Sequence, residues 1–154
     1  MLNNVNQNCI QMKNNCEAQN ETAELKRYTE REKKELRELV SKIILGMGIS
    51  PNIKGYKYMV EGIMQATMRP ELKLSVTKGL YPAIAEKFNA TPSQVERAMR
   101  HSLLLSYNKD KIMHVNTIIG VNIFERRSRP TPSEVIYIIA ECIEIIKERG
   151  KYAI

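Results

Sequence analysis

Ser93, Gln94, Glu96, Arg97, Arg100 and His101 lie within one short stretch of the chain, and their chemistry suits reading base edges better than making or breaking bonds. An Arg guanidinium offers two donors to guanine O6 and N7, Gln pairs with adenine, and Glu accepts from the cytosine amino group. Ser93, close to a helix start, suits a backbone phosphate. At about 100° per residue, Val95, Ala98, Met99, Ser102 and Leu103 share one side of a helix, and the six polar residues share the other. A solvated amphipathic helix would show the same stripe, so the neighbouring segments decide between the two.

Those segments set the helix in place. Thr91 is an N-cap, Pro92 fits the first helical position, where its missing N–H costs nothing, and Gln94 can complete a capping box. Before it, Tyr81-Pro82-Ala83-Ile84-Ala85-Glu86-Lys87-Phe88 reads as a short helix, and Asn89-Ala90 makes the break. Two short helices across a tight turn predict a helix-turn-helix. Ile84, Ala85 and Phe88 face Val95 and Met99, and small Ala85 lets the helices cross closely. Asn89 stands where such turns commonly carry Gly, and Asn tolerates positive φ.

The charge follows the same segment. The 154 residues carry a net charge of +7. Residues 54–129 hold 13 Lys and Arg against 6 acidic residues, while the stretches on either side nearly balance. A concentrated basic region favours phosphates and makes binding salt-dependent. With 43% hydrophobic residues and few alternating β-branched runs, the sequence predicts an all-α core. Cys9, Cys16 and Cys142 suit a reducing compartment better than a disulfide scaffold. No signal peptide or membrane span is visible, so a cytoplasmic location is expected.

Catalytic chemistry is not expected. Asp110 is the one Asp of the sequence, which leaves no acidic phospho-acceptor pocket and no two-metal carboxylate cluster. His101 and His114 lack the partners of a nucleophilic triad or a zinc site. No phosphate-cradling glycine motif occurs. Neither cofactor nor metal is expected, and the tyrosines, Tyr81 among them, read as core or interface residues.

Three parts are expected along the chain. Residues 1–20, with seven Asn and three Gln, form an arm; residues 21–38 form a charged helical extension, a candidate coiled coil; residues 39–150 form the DNA-binding domain. A continuous charged helix is expected over residues 21–42. Further helices are expected from Gly55 to Met68, Leu72 to Gly79, Lys109 to Ile119 and from Pro132 onward, the last behind a second Thr-Pro-Ser-Glu capping box. That last helix carries more apolar surface than one stripe requires. Residues 121–129 read as a loop holding Arg126, Arg127 and Arg129.

The segments Ile49-Ser50-Pro51-Asn52-Ile53-Lys54-Gly55-Tyr56, Ser75-Val76-Thr77-Lys78-Gly79-Leu80-Tyr81-Pro82-Ala83-Ile84-Ala85-Glu86-Lys87-Phe88-Asn89, Val95-Glu96-Arg97-Ala98-Met99-Arg100-His101 and Pro130-Thr131-Pro132-Ser133-Glu134 occur in this order. They resemble the DNA-binding effector domain of the sporulation response regulator family, stage zero sporulation protein A. The resemblance covers residues 39–148. It implies a six-helix all-α domain whose fourth helix enters the major groove, paired domains on tandem sites, and a role in transcription control. Ser93, Glu96, Arg97 and Arg100 match the family's groove residues, whereas Gln94 replaces a position that is usually basic. The family joins this domain to a phosphorylated receiver, for which residues 1–38 offer no acidic pocket, so control independent of receiver phosphorylation is expected.

The reading is a helix-turn-helix regulator that binds double-stranded DNA, homodimeric at least on DNA. Gln94, Glu96, Arg97 and Arg100 contact bases, and Ser93, Lys54, Lys78 and His101 contact phosphates. Two alternatives stay open. One is a mobile-element accessory factor, a recombination directionality factor acting beside a recombinase. The other is an interaction module for an RNA polymerase sigma factor or for the sporulation regulator itself.

Overall fold

The computed structural model describes residues 28–152. Thr29 is extended, at ψ 162°, its hydroxyl accepts the Glu32 N–H at 3.2 Å, and the Glu32 carboxylate accepts the Thr29 N–H at 2.6 Å. This capping box starts α1 (Glu30–Gly46). The continuous helix expected over residues 21–42 is therefore corrected: Tyr28 and Thr29 are not helical, because an N-cap takes its bond in an extended conformation. The Asn-rich arm, Cys9, Cys16, Leu25 and the rest of residues 1–27 lie outside the described residues.

α2 (Lys54–Met68) is the central helix and packs against α1, α4 and α6. Its interior residues, Met59, Ile63 and Ala66 among them, are fully enclosed. The single helix expected over Leu72 to Gly79 is instead a 3₁₀ turn (Pro70–Leu74) followed by a π turn (Val76–Leu80). Ser75, at φ −134° and ψ 54°, breaks the helix, and its carbonyl then accepts the N–H groups of both Gly79 and Leu80 at 2.8 and 3.1 Å. The wide turn leads directly into α3 (Tyr81–Lys87). The buried Lys73 ammonium ties the 3₁₀ turn to the last helix through Glu141 at 2.6 Å and Glu144 at 3.1 Å.

After α3 comes the turn with Asn89 at φ 51°, then α4 (Pro92–Asn108). The helix expected over Lys109 to Ile119 is shorter: residues 109–113 are non-helical, with Asp110 at φ 52°, and only α5 (His114–Ile119) is helical. Gly120 ends it at φ 81°. The loop to the last helix is held by Asn116. Its side-chain oxygen accepts Ile123 and Phe124 N–H, and its amide donates to the Phe124 carbonyl at 2.6 Å. α6 (Pro132–Tyr152) then closes the domain.

The fold is thus all-α, with six α-helices and no strand among the described residues. One core joins Val40, Ile43 and Ile44 of α1, Met59 and Ile63 of α2, Ile84 of α3, Val95 and Met99 of α4, and Ile136, Ile139 and Ile143 of α6. Each such side chain contributes about 1.5–3 kcal/mol by leaving water. On α6 the apolar excess divides: Ile136, Ile139 and Ile143 are buried, whereas Tyr137 and Ile145 stay exposed. Among the described residues no helix is long and apolar enough to cross a membrane.

Candidate nucleic-acid interface

Local chemistry fixes the start of α4. The Thr91 hydroxyl accepts the Gln94 N–H at 3.2 Å, and the Gln94 side-chain oxygen accepts the Thr91 N–H at 3.0 Å. The expected capping box is formed in full. Val95, Met99, Ser102 and Leu103 turn inward, with Val95 and Met99 packed among Ile84 and Ala85 of α3 in the common core. Phe88 ends α3, its ring edge-on to Tyr58 at 5.3 Å between centroids. Helix, turn and helix therefore stand in the order and spacing that the residues predict.

α3 is anchored to α2 by charge as well as by packing. The nearly enclosed Glu61 carboxylate on α2 accepts Lys87 Nζ at 2.7 Å and Gln65 Nε2 at 2.9 Å, with Arg37 at 3.7 Å. Burial works to raise the Glu61 pKa. The bonds from Lys87 and Gln65 and the charges of Lys87 and Arg37 outweigh it and hold the group below the ordinary carboxylate value. A buried carboxylate with three partners restrains the lower end of α3, and with it the turn into α4.

The remaining sides of α4 separate by angle. Ser93, Gln94, Arg97, Arg100 and His101 are exposed, and Glu96 is half-buried. Arg97 has no ion pair or hydrogen bond among the described residues, so its guanidinium is available in full. Arg100 is paired along the helix with Glu96. Gln94 has its carbonyl oxygen committed to the cap, which leaves its NH₂ as a donor; the two-point contact with adenine would require that bond to open.

The predicted phosphate contacts spread around this face. Lys54 is the exposed first residue of α2, a helix without a side-chain N-cap. Gly55 next to it sits against the Ala98 carbonyl and the Ser102 hydroxyl, which brings the uncapped end of α2 onto the flank of α4. Lys78 is exposed in the π turn, one residue after Thr77, which lines a cleft with Ser93 on the opposite flank. His101 shares the solvent side with Arg97.

Tyr81, Thr131 and Ser133 line that same cleft, and sequence reasoning did not single them out for binding. The available signal was the repeated Thr-Pro-Ser that opens both α4 and α6. The arginine loop before α6 is largely self-engaged: Arg126 pairs with Asp110 at 3.0 Å, and Arg129 lies 5.0 Å over the Tyr107 ring. Burial pushes the Tyr107 phenol up to about 12, and its hydroxyl donates to the Pro130 carbonyl. Among the described residues, no group of three His, Cys, Asp or Glu side chains is placed to hold a metal ion.

Against known families, residues 40–143 match the model described as "Sporulation initiation factor Spo0A C terminal". The match runs from the middle of α1 through most of α6 and includes the whole of α3, the turn and α4.

Proposed function

We propose, from the premise that this chain belongs to the Spo0A C-terminal family of DNA-binding domains, that it is a sequence-specific regulator that places α4 in the major groove. The observation that carries the proposal is the free Arg97 guanidinium on an exposed helix face, flanked by the uncapped start of α2. In this reading Arg97 and Arg100 contact bases, Glu96 and Gln94 tune the choice, and Ser93, Lys54, Lys78 and His101 hold phosphates.

In this reading DNA binding does not require phosphorylation of a receiver. The one Asp of the sequence is engaged with Arg126, and nothing among the described residues covers the outer face of α4. Pairing of two domains on DNA is proposed through the exposed Tyr137 and Ile145 of α6, which one copy leaves in water.

Selection of bound duplexes from a random pool, followed by anisotropy titration, tests the assignment. Arg97→Ala is expected to lose about 1–3 kcal/mol on the selected site and to relax the preference at one base pair, whereas Lys78→Ala weakens all sequences alike. If Arg97→Ala binds as the parent does, α4 is not the reading helix. Negligible affinity of the parent for every duplex at moderate salt would favour the interaction-module reading instead.

A further inference from the structure

α4 and α6 both begin Thr-Pro-Ser, and the two starts open on one cleft of about 400 Å³. Thr91 and Thr131 are the N-caps, and Pro92 and Pro132 have no N–H to offer. The N–H groups of Gln94 and Glu134 are taken by the cap hydroxyls at 3.2 and 3.4 Å. That leaves in each first turn the N–H of the second residue, Ser93 or Ser133, for which no acceptor exists among the described residues. Both serines line the cleft.

A third group points the same way. Tyr81 is only 5% exposed, yet its hydroxyl has no hydrogen-bond partner among the described residues, and it lines the cleft with Ser93, Glu96, Arg100 and Ser133. The hydroxyl oxygen is not itself enclosed by protein, so this little-exposed side chain offers an open hydrogen-bonding group to whatever enters the cleft. Burial first, then the Glu96 charge, pushes its pKa up to about 12, so it remains a proton donor at neutral pH. Glu96 does not make the cleft anionic, because it is paired with Arg100. The two helix starts add about half a positive charge each. Glu134, which caps Thr131, is not among the lining residues.

We infer that this cleft receives a phosphate of the DNA backbone, held by the Tyr81 hydroxyl, by the N–H groups of Ser93 and Ser133, by the Ser93 hydroxyl and by that of Ser133 once it turns from Thr131, 3.2 Å away, and by the positive ends of α4 and α6. The inference rests on the DNA-binding reading and extends it, since it places one strand's backbone on the α6 flank of α4 while the start of α2 meets the other. Tyr81 and Ser133 are then affinity determinants that carry no base information.

The test compares Tyr81→Phe, Ser133→Ala and Arg97→Ala in the full chain on a selected duplex and on a random-sequence duplex, with thermal melting to confirm that each variant folds. Tyr81→Phe keeps the ring and is expected to weaken both duplexes by the same factor, about ten-fold, and Ser133→Ala, which keeps the N–H, about three-fold. The ratio between the duplexes stays at the parent value for both variants and falls for Arg97→Ala. If Arg97→Ala behaves in this way but Tyr81→Phe and Ser133→Ala bind as the parent does, the cleft is not a backbone site and the DNA-binding reading stands. Amide spectra form a second arm: the duplex should move the Ser93 and Ser133 resonances. Movement with inorganic phosphate at matched ionic strength but not with the duplex assigns the cleft to a free anion and overturns the inference. A parent chain that binds no duplex overturns both readings.

Discussion

A single methyl group at Gly55 tests whether the close crossing of α2 and α4 sets the interface. A Cβ there would stand 2.5 Å from the Ala98 carbonyl oxygen and nearer still to Ser102 Oγ. The carbonyl belongs to the backbone of α4 and cannot move without the helix. Ser102 could rotate away only by giving up its 2.9 Å bond to that same carbonyl, which costs about 1 kcal/mol in a buried site. Overpacking adds about 1–3 kcal/mol, against a gain in helix propensity of at most about 1 kcal/mol. Gly55→Ala should therefore lose about 1–3 kcal/mol in urea unfolding, with an unchanged m value. Gly62 on the same helix is the control. Its Cβ would meet the Cδ1 atoms of Ile136 and Ile84 at 3.1 and 3.2 Å, side-chain ends that can yield, so Gly62→Ala should stay within about 1 kcal/mol of the parent. Under conditions where both variants are folded, Gly55→Ala should also weaken binding to every duplex, because Lys54 moves with the end of α2. A Gly55→Ala variant as stable as the parent, or one less affected than Gly62→Ala, would refute this account of the crossing.

Two further perturbations separate stability from recognition. The folded-state pKa of Glu61 lies below the ordinary value of 4.5, so its contribution is fully present above that pH and is lost as pH falls through the folded-state value. The stability gap between the parent and Glu61→Gln should accordingly narrow on acidification below about pH 4.5; urea midpoints across that range measure it, and a constant gap contradicts the assignment. Gln94→Glu keeps the acceptor that Thr91 N–H requires and adds a negative charge in the first turn, which stabilises the helix by about 0.3–1 kcal/mol. The same charge faces DNA, so melting temperature should hold or rise while affinity falls on all sequences, and a parallel loss of both would refute the division of roles.

Much of α3, its turn and α4 was legible because the signals there are local. Pro82, Asn89 and the Thr91–Gln94 box each act within four residues, and each is found in its expected role. The segment between α2 and α3 was misread as one helix because nothing in Leu72 to Gly79 announces the break at Ser75. That break is accompanied by long-range anchors, with Lys73 reaching Glu141 and Glu144 some seventy residues away. The shortening of α5 has a similar basis, since Asp110 takes a positive φ while its carboxylate is held by Arg126. The cleft at Tyr81 was invisible for a geometric reason: its two serines lie forty residues apart and line one cleft only when the fold brings the start of α6 to the start of α4.

The placement of α4 also bears on where specificity can reside. One side packs on α3 and the core, a second is closed by Gly55 of α2, and a third borders the cleft through Ser93, Glu96 and Arg100. What remains toward solvent is Gln94, Arg97 and His101, and Gln94 is tied to the cap. A basic residue at position 94 would add a second forked or charged donor to this face. With Gln bound to Thr91 in its place, base discrimination concentrates on Arg97 and on Arg100 in its pair with Glu96. The operator should therefore be read through fewer base pairs on the side that residue 94 faces, and affinity should depend more on phosphates. A steep salt dependence combined with a short selected sequence is the pattern that this arrangement requires.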